Sequence, residues 1–545
     1  MMGLELPMRV WQAALLLLVG LVTLKLPAIY RYIRVWFTIR KLPTPPGATL
    51  FMGHAAAYSP LAKHKYEETS ARSLGPLYRY RNYTSQIVVV NDPALQQEIF
   101  AAERDGAIEK PDQPNGFSKG KGRSEMNVFS EKSGDPMWKL VRKGTAPAFA
   151  AQNLRTYHHH IVDIVDRLIG GVKSKGPHTA VNIADIAQRE SFDVIGKVGF
   201  GRDFQASKDI DNPVNTFQQL TDDLEESVHR LIHPWRKYSL SKEKLARDKN
   251  HESIRSIYKE LVDECLNRPP SDEDANSIAG HLLRLRDSNG NPLSRERLIE
   301  EFSIFFVAGS ETTGHTVAWT LWFLAQNPAA LHKLEEELDV AGLLKTAHNP
   351  NPRDFTYADI SKLHWLDCCI KEAMRLQPVA ANSLRRLAVR DVPLSNGVVI
   401  PAGVIVELAQ YSVFRNPAWG WEDPNAFKPE RWEDPEEEYY TARHASAAST
   451  NGRKGSDSEL EIDAAPSTAG GSKAKRMHPF GAGIRNCLGQ QLAKINVPTA
   501  VAMLTREFHL TLAPQTAGKD LAELEVLKAT LQPRNGIYML CKSRS

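Results

Sequence analysis

Near the C-terminus the chain reads Pro479-Phe480-Gly481-Ala482-Gly483-Ile484-Arg485-Asn486-Cys487-Leu488-Gly489, a glycine-rich loop that delivers one cysteine to the start of an apolar helix. Few features restrict a fold more, because a sulfur that ligates iron must be deprotonated and shielded from water. Backbone N–H groups left free at a helix N-terminus stabilise that negative charge. Gly483 and Gly489 permit backbone geometries and close approaches that a side chain would block. The spacing F-x-x-G-x-R-x-C-x-G is filled at every fixed position, by Phe480, Gly483, Arg485, Cys487 and Gly489, and suits a haem iron held through a thiolate. The rival is an ordinary buried thiol, since free cysteines in cores behave as small apolar groups.

With 545 residues, 42% hydrophobic and 24% charged, the chain is globular and long enough for one large fold or several ordinary domains. Its five cysteines, Cys265, Cys368, Cys369, Cys487 and Cys541, are too few and too irregularly spaced for a disulfide framework, which suits a reducing compartment. A formal charge of +4 is weak, and no basic run is interleaved with aromatics, so no nucleic-acid partner is expected.

Val10 to Leu24 carries no charge, and apolar character resumes after Lys25 as far as Tyr30. A spanning helix needs about 20 mostly apolar residues, a length reached here if the Lys25 ammonium snorkels to the interface. Arg31, Arg34, Arg40 and Lys41 follow, against Glu5 and Arg9 before, a bias that puts the bulk of the chain on the cytoplasmic side. A cleaved signal peptide fits less well, because basic, bulky residues come next rather than a small-residue cleavage site. Leu42-Pro43-Thr44-Pro45-Pro46-Gly47 reads as a stiff exit. The expected organisation is an anchor over residues 1–41, a hinge over 42–47 and a catalytic domain over 48–545. Asn82-Tyr83-Thr84 is a glycosylation sequon that a cytosolic domain leaves unused.

Tyr78 to Val90 predicts a short hairpin, followed by a helix starting at Asn91-Asp92-Pro93, and most later segments read as helical. Residues 433–475, rich in Ala, Ser, Gly and charges, read as a disordered insertion with too little apolar surface to offset the entropy of ordering it. A long apolar helix is predicted from about Arg295 to Gln326, stopped by Asn327-Pro328. Its middle, Ala308-Gly309-Ser310-Glu311-Thr312-Thr313, places a glycine and an acid–alcohol pair among Phe305, Phe306, Val317 and Trp319. Glycine costs a helix about 1 kcal/mol relative to alanine, and a buried carboxylate costs more unless solvated or paired. A purely structural helix rarely keeps both. Ala308 and Thr312, at i and i+4, share one face, where a small residue leaves room for a ligand and a hydroxyl reaches it. The structural alternative is that Thr312 back-bonds to its own helix. His158-His159-His160 is read as surface, because consecutive helical residues point about 100° apart and cannot share a metal.

The Cys487 loop resembles the cysteine-ligand loop of the cytochrome P-450 haem-thiolate monooxygenases, and other motifs follow in that family's order. Ala308 to Thr313 resembles its oxygen-binding groove, with Thr312 as donor to oxygen held there and Glu311 relaying protons through water. Glu372-Ala373-Met374-Arg375 carries little weight alone, but with Pro429-Glu430-Arg431 downstream it resembles the family's ion-pair cluster of Glu372, Arg375 and Arg431, a role in folding and haem retention. Trp138 and Arg142 resemble its W-x-x-x-R pair; with Arg485 and Arg386 they are the expected partners of the haem propionates. Residues 42–47 resemble the proline-rich hinge of microsomal members.

The resemblance implies a mainly α fold with a small β-rich region, preceded by one N-terminal transmembrane helix, holding haem b between the Thr312 helix and the Cys487 loop. It implies insertion of one oxygen atom of O2 into a lipophilic substrate, by hydroxylation or epoxidation. Electrons would come from NADPH through NADPH–cytochrome P-450 reductase, with cytochrome b5 as a second donor. Lys139, Lys143 and Lys494 would suit docking of an acidic flavoprotein. The implied location is the endoplasmic reticulum membrane, single-pass, with the catalytic domain facing the cytosol. Ala308 stands where some fatty-acid hydroxylases carry a haem-esterifying glutamate, so covalent attachment is not expected. Phe217, Leu231, Ile232 and Trp235 suggest a lipophilic ligand, with fatty acid, sterol, terpenoid and carotenoid all open. Two alternatives stand beside this: a haem-thiolate isomerase or dehydratase needing neither O2 nor NADPH, and a non-catalytic membrane haem carrier or sensor.

Overall fold

The aromatic and β-branched residues around Tyr78 form a hairpin in which Leu77–Asn82 pairs antiparallel with Ser85–Val90. Tyr83 takes the corner at a φ of 51°. Asp92 then caps a helix, its carboxylate accepting from the N–H groups of Ala94 (2.7 Å) and Leu95 (3.2 Å), with Pro93 opening Pro93–Arg104. The computed structural model describes residues 8–111, 126–208, 210, 242–268, 275–381, 384–433 and 477–544. Phe217, Leu231, Ile232, Trp235 and the insertion after Glu433 lie outside the described residues.

The hairpin forms one side of a five-stranded sheet in the order Leu77–Asn82, Ser85–Val90, Ile405–Leu408, Leu384–Ala388, Ile108–Glu109. Only the Ser85–Val90 and Ile405–Leu408 pair is parallel among these four pairings. Alternation sorts its side chains: Val88 and Val90 pack with Ile99, Phe100 and Val406, while Ile87 and Val89 pack with Tyr78 and Tyr80 on the opposite face. The larger core is helical, built from Ala151–Ser174, Ile183–Val194, Arg295–Gln326, His364–Leu376 and Gln490–Glu507. The chain is therefore mainly α with a small β-rich region.

Ser294 starts the long helix Arg295–Gln326 by accepting the Arg297 N–H at 3.0 Å, and Asn327-Pro328 ends it. The helix is buried on nearly every side. Two glycines permit this: a Cβ on Gly314 would lie 2.7 Å from Gln188 Cα on the crossing helix Ile183–Val194, and one on Gly309 would lie 2.8 Å from Ile195 Cγ1. Backbone, not a flexible side chain, blocks the first position.

One sequence reading is corrected. His158 is not surface: Ala151–Ser174 turns Leu154, Tyr157, His158, Ile161 and Val165 inward, and His158 Nε2 lies 3.3 Å from Thr499 Oγ1. A rotation of about 100° per residue puts one member of any such triplet on the buried face. Burial pushes His158 down to about 4, so it is neutral at pH 7.

Around the expected boundary after residue 41, both the end of the N-terminal helix and the proline stretch contact the domain. One helix, Met8–Ile39, runs through Pro27, and its last turns belong to the domain. Val35 and Ile39 are buried against the sheet, Arg34 pairs with Asp391 at 2.5 Å, and Tyr32 Oη accepts from Gln86 Nε2 at 3.0 Å. The proline stretch is bonded in as well, Pro43 O accepting the Arg79 N–H at 2.9 Å and Pro45 O lying 2.9 Å from His54 Nε2. For residues 8–22 and 24 only the helical backbone is described, and among the described residues no helix is long and apolar enough to cross a membrane.

Substituting Gly314→Ala should destabilise the protein by about 1–3 kcal/mol through overpacking against Gln188. Denaturant titration of the haem-loaded chain measures it, and an unchanged midpoint would mean that the two helices part without cost.

Candidate active site

Gly483, at a φ of 70°, turns the loop in a conformation that disfavours a side chain, and a Cβ there would come within 3.3 Å of Phe100 Cβ. The loop closes as the Cys487 N–H donates to Phe480 O at 2.8 Å, and Gln490–Glu507 begins three residues after the cysteine. Burial pushes the Cys487 thiol up, opposed by the Gly489 N–H and the Arg142 guanidinium. Both opposing groups favour thiolate, as an iron ligand requires. A Cβ on Gly489 would sit 3.9 Å from Cys487 Sγ and 3.8 Å from Phe149 Cε1. Phe149 in turn stacks on Phe305 of the long helix at 6.1 Å, one turn before Ala308, and so ties the sulfur's loop to the acid–alcohol helix. Neighbouring groups enclose the Cys487 sulfur, yet the residue keeps accessible surface, as Ala308 does on the long helix.

On the long helix, Gly309 and Glu311 are turned inward, and Ala308 and Thr312 share the more open face. Thr312 Oγ1 donates to Ala308 O at 2.8 Å, the back-bond weighed as its structural alternative. The Thr312 proton serves another acceptor only when that bond exchanges. Glu311 is buried, and burial pushes it up to about 7, opposed by the Thr530 hydroxyl (2.8 Å from Oε1) and by Lys528. A carboxyl in this range can hold a proton near neutrality and release it.

The expected propionate partners converge. Trp138 is buried, with Arg485 Cζ 4.6 Å and Arg142 Cζ 5.6 Å from its ring centroid. Arg386 Nε lies 2.7 Å from Glu103 Oε1, and Arg485 Nε lies 3.9 Å from the same oxygen and donates to Ser133 Oγ at 2.6 Å. Arg142 donates to Asn486 O at 2.8 Å. Pairing of Ile108–Glu109 with Leu387–Ala388 brings Lys110 beside this group, where burial, Arg485 and Arg386 push its ammonium well down. Burial likewise lowers Arg485 to about 10, with Glu103 opposing and Arg386 and Arg142 adding to the fall. Glu131, whose carboxylate is held by Arg297, contributes little to the balance. Four cations thus meet Glu103, and the surplus suits a ligand bearing two carboxylates beside a ring. These residues fit haem: Cys487 would ligate iron, while Arg142, Arg386 and Arg485 would hold the propionates. Glu103, Lys110 and Ser133 escaped the sequence reading; strand pairing and loop closure assemble them, and no local spacing marks them.

Glu372 sits in the opposite condition, fully satisfied. It accepts from Arg375 Nε and Nη2 (both 2.8 Å), Arg431 Nε (3.2 Å), Trp432 Nε1 (3.0 Å) and the Lys428 N–H (3.0 Å). Arg375 also donates to the carbonyls of Phe414 (2.9 Å), Pro424 (2.7 Å) and Ala426 (3.1 Å), fastening the segment that leads towards the cysteine loop. Trp432 was not anticipated. Lys139, Lys143 and Lys494 are exposed.

A cysteine loop tied through Phe149 to a helix that carries a proton-holding acid is the arrangement of a haem-thiolate oxidoreductase. Known proteins agree. The family model described as Cytochrome P450 matches residues 43–540. The chain is 25% identical over 450 residues to the bifunctional cytochrome P450/NADPH–P450 reductase of Bacillus cereus, covering 81% of this chain and 37% of that protein. It is 25% identical over 410 residues to a cytokinin hydroxylase of Arabidopsis thaliana (74% and 70% covered). It is also 25% identical over 490 residues to the chloroplastic carotene epsilon-monooxygenase of the same plant (86% and 80%). This chain belongs to the cytochrome P450 family, and it is a haem-thiolate monooxygenase.

Replacing Glu372 with Gln should cost about 3–5 kcal/mol by leaving Arg375 buried without its counter-charge. Haem content per chain after purification checks this; full retention would make the cluster dispensable. Cys487→Ser should abolish the thiolate-type optical spectrum while leaving the far-ultraviolet circular dichroism unchanged.

Proposed function

We propose that this chain, anchored by its N-terminal helix in the endoplasmic reticulum membrane and facing the cytosol, inserts one oxygen atom of O2 into a C–H or double bond of a lipophilic substrate, drawing NADPH electrons through a reductase. The observation that carries the reading is Glu311, buried, pushed up to about 7 and adjacent to Thr312. When bound, haem supplies the redox chemistry. Glu311 holds a proton near neutral pH and passes it toward the Thr312 face of the helix. Thr312 orients the acceptor by exchanging its bond to Ala308 O for one outward. Ala308 leaves the face open, and the stacked Phe305 and Phe149 form an apolar link between this helix and the cysteine loop. An isomerase or dehydratase, and equally a haem carrier, has no use for this proton supply.

The basic residues Lys139, Lys143 and Lys494 support docking of an acidic electron donor. The name of one relative, a carotene epsilon-monooxygenase, puts carotenoids first among substrates to try.

Proton delivery needs protonated Glu311, so NADPH-supported turnover should fall as pH rises through about 7 and Glu311→Gln should remove that limb. Reconstitution with a reductase and a panel of fatty acids, sterols, terpenoids and carotenoids tests the whole reading. A low-to-high-spin optical shift with one class, together with substrate-dependent NADPH consumption, is the expected result. An intact thiolate spectrum with neither response across the panel would overturn it in favour of a carrier.

A further inference from the structure

Behind Glu311 lies a hydrogen-bonded chain that proton delivery as described above does not use. Thr530, between the strands Glu525–Leu527 and Leu531–Pro533, donates from Oγ1 to Glu311 Oε1 at 2.8 Å. The same hydroxyl oxygen is 3.0 Å from His315 Nδ1, one turn further along the long helix. His315 Nε2 meets Gln188 Nε2 from the crossing helix. All four side chains are buried. Gly314 makes the chain possible, since any side chain there would push Gln188 away.

Donor arithmetic sets the direction of this chain. The Gln188 amide N–H donates to Nε2, so the imidazole proton stands on Nδ1 and donates to Thr530. A hydroxyl has one proton, and that of Thr530 is left pointing at Glu311. His315 cannot interrupt by becoming charged, because burial, with Lys528 adding, pushes it down to about 3. Lys528 is also the charge acting on Glu311, and among the described residues the crossing helix contributes the neutral Gln188 at this point. A hydrogen bond donated to a carboxylate favours its charged form, so the chain works against burial.

We propose that Gln188, His315 and Thr530 are positioning residues, a polarised chain that aims one hydroxyl proton at Glu311 and thereby sets the pH range over which this acid loads and delivers its proton. The proposal rests on the catalytic role given to Glu311 above, but its test does not.

Infrared difference spectra of the haem-loaded full chain, titrated with pH without substrate or reductase, report the protonated carboxyl of Glu311 as the band missing in Glu311→Gln. The subtraction is needed because burial also raises Glu190 to about 8 and Glu301 to about 7. Thr530→Val should move the Glu311 midpoint upward by about one to two pH units, the loss of one hydrogen bond to a charged group. Thr530→Ser should leave it in place, and His315→Phe should shift it in the same direction as valine. Gln188→Leu, which removes the outer donor from a different helix, provides an independent version if Thr530→Val does not fold. Midpoints unchanged in the hydroxyl and imidazole variants would overturn the proposal. Failure of NADPH-supported turnover in the unaltered chain would sink the proposed function alone, leaving the infrared result to stand.

Discussion

The closeness of the long helix to its neighbours is the constraint on which the site depends. Gly309 and Gly314 let Ile195 and Gln188 approach to distances that a Cβ would forbid, and this closeness strips water from Glu311. Desolvation disfavours the charged carboxylate, which turns an ordinary glutamate into an acid working near neutrality. Burial, with Lys528 adding, holds His315 neutral, and the Gly314 contact brings Gln188 within reach of it. Helix propensity is given up at two positions, and a functional environment results.

Two charged clusters flank this helix and differ in kind. At Glu372 every oxygen is matched by buried donors, so the cluster is complete without further partners and serves to fasten the chain. Around Trp138 the cations outnumber the carboxylates; burial first, and then the neighbouring arginines, lowers the affinity of Lys110 and Arg485 for their own protons. Low dielectric makes such a surplus costly in isolation. It is the environment that a dianionic ligand relieves.

Part of the candidate site is legible in local residue combinations. The cysteine loop and the acid–alcohol pair each carry a residue combination that an ordinary helix or turn would rarely keep, whereas the Glu372 cluster and the arginines near Trp138 were expected only through the family resemblance. Other features were invisible for physical reasons. Glu103, Lys110 and Ser133 are brought in by pairing between Ile108–Glu109 and Leu387–Ala388 and by contacts of the cysteine loop, which link positions hundreds of residues apart. Thr530 and Gln188 reach Glu311 and His315 from separate elements. His158 misled because hydrophobic periodicity, not polarity, decides which face of Ala151–Ser174 is buried.

By itself the sequence determined the local chemistry: a cysteine on a glycine turn, a carboxyl and hydroxyl at adjacent helical positions, prolines and caps that begin and end the helices. These depend on backbone sterics and neighbours a few residues apart. Only tertiary structure decided the energies. Whether Glu311 is acid or carboxylate at pH 7 depends on what packs on it, and whether Thr312 donates inward or outward depends on competing acceptors. The N-terminal helix became part of the domain through Val35, Ile39 and the Arg34–Asp391 pair. Desolvation and long-range pairing are properties of the folded surroundings, and no local pattern encodes them.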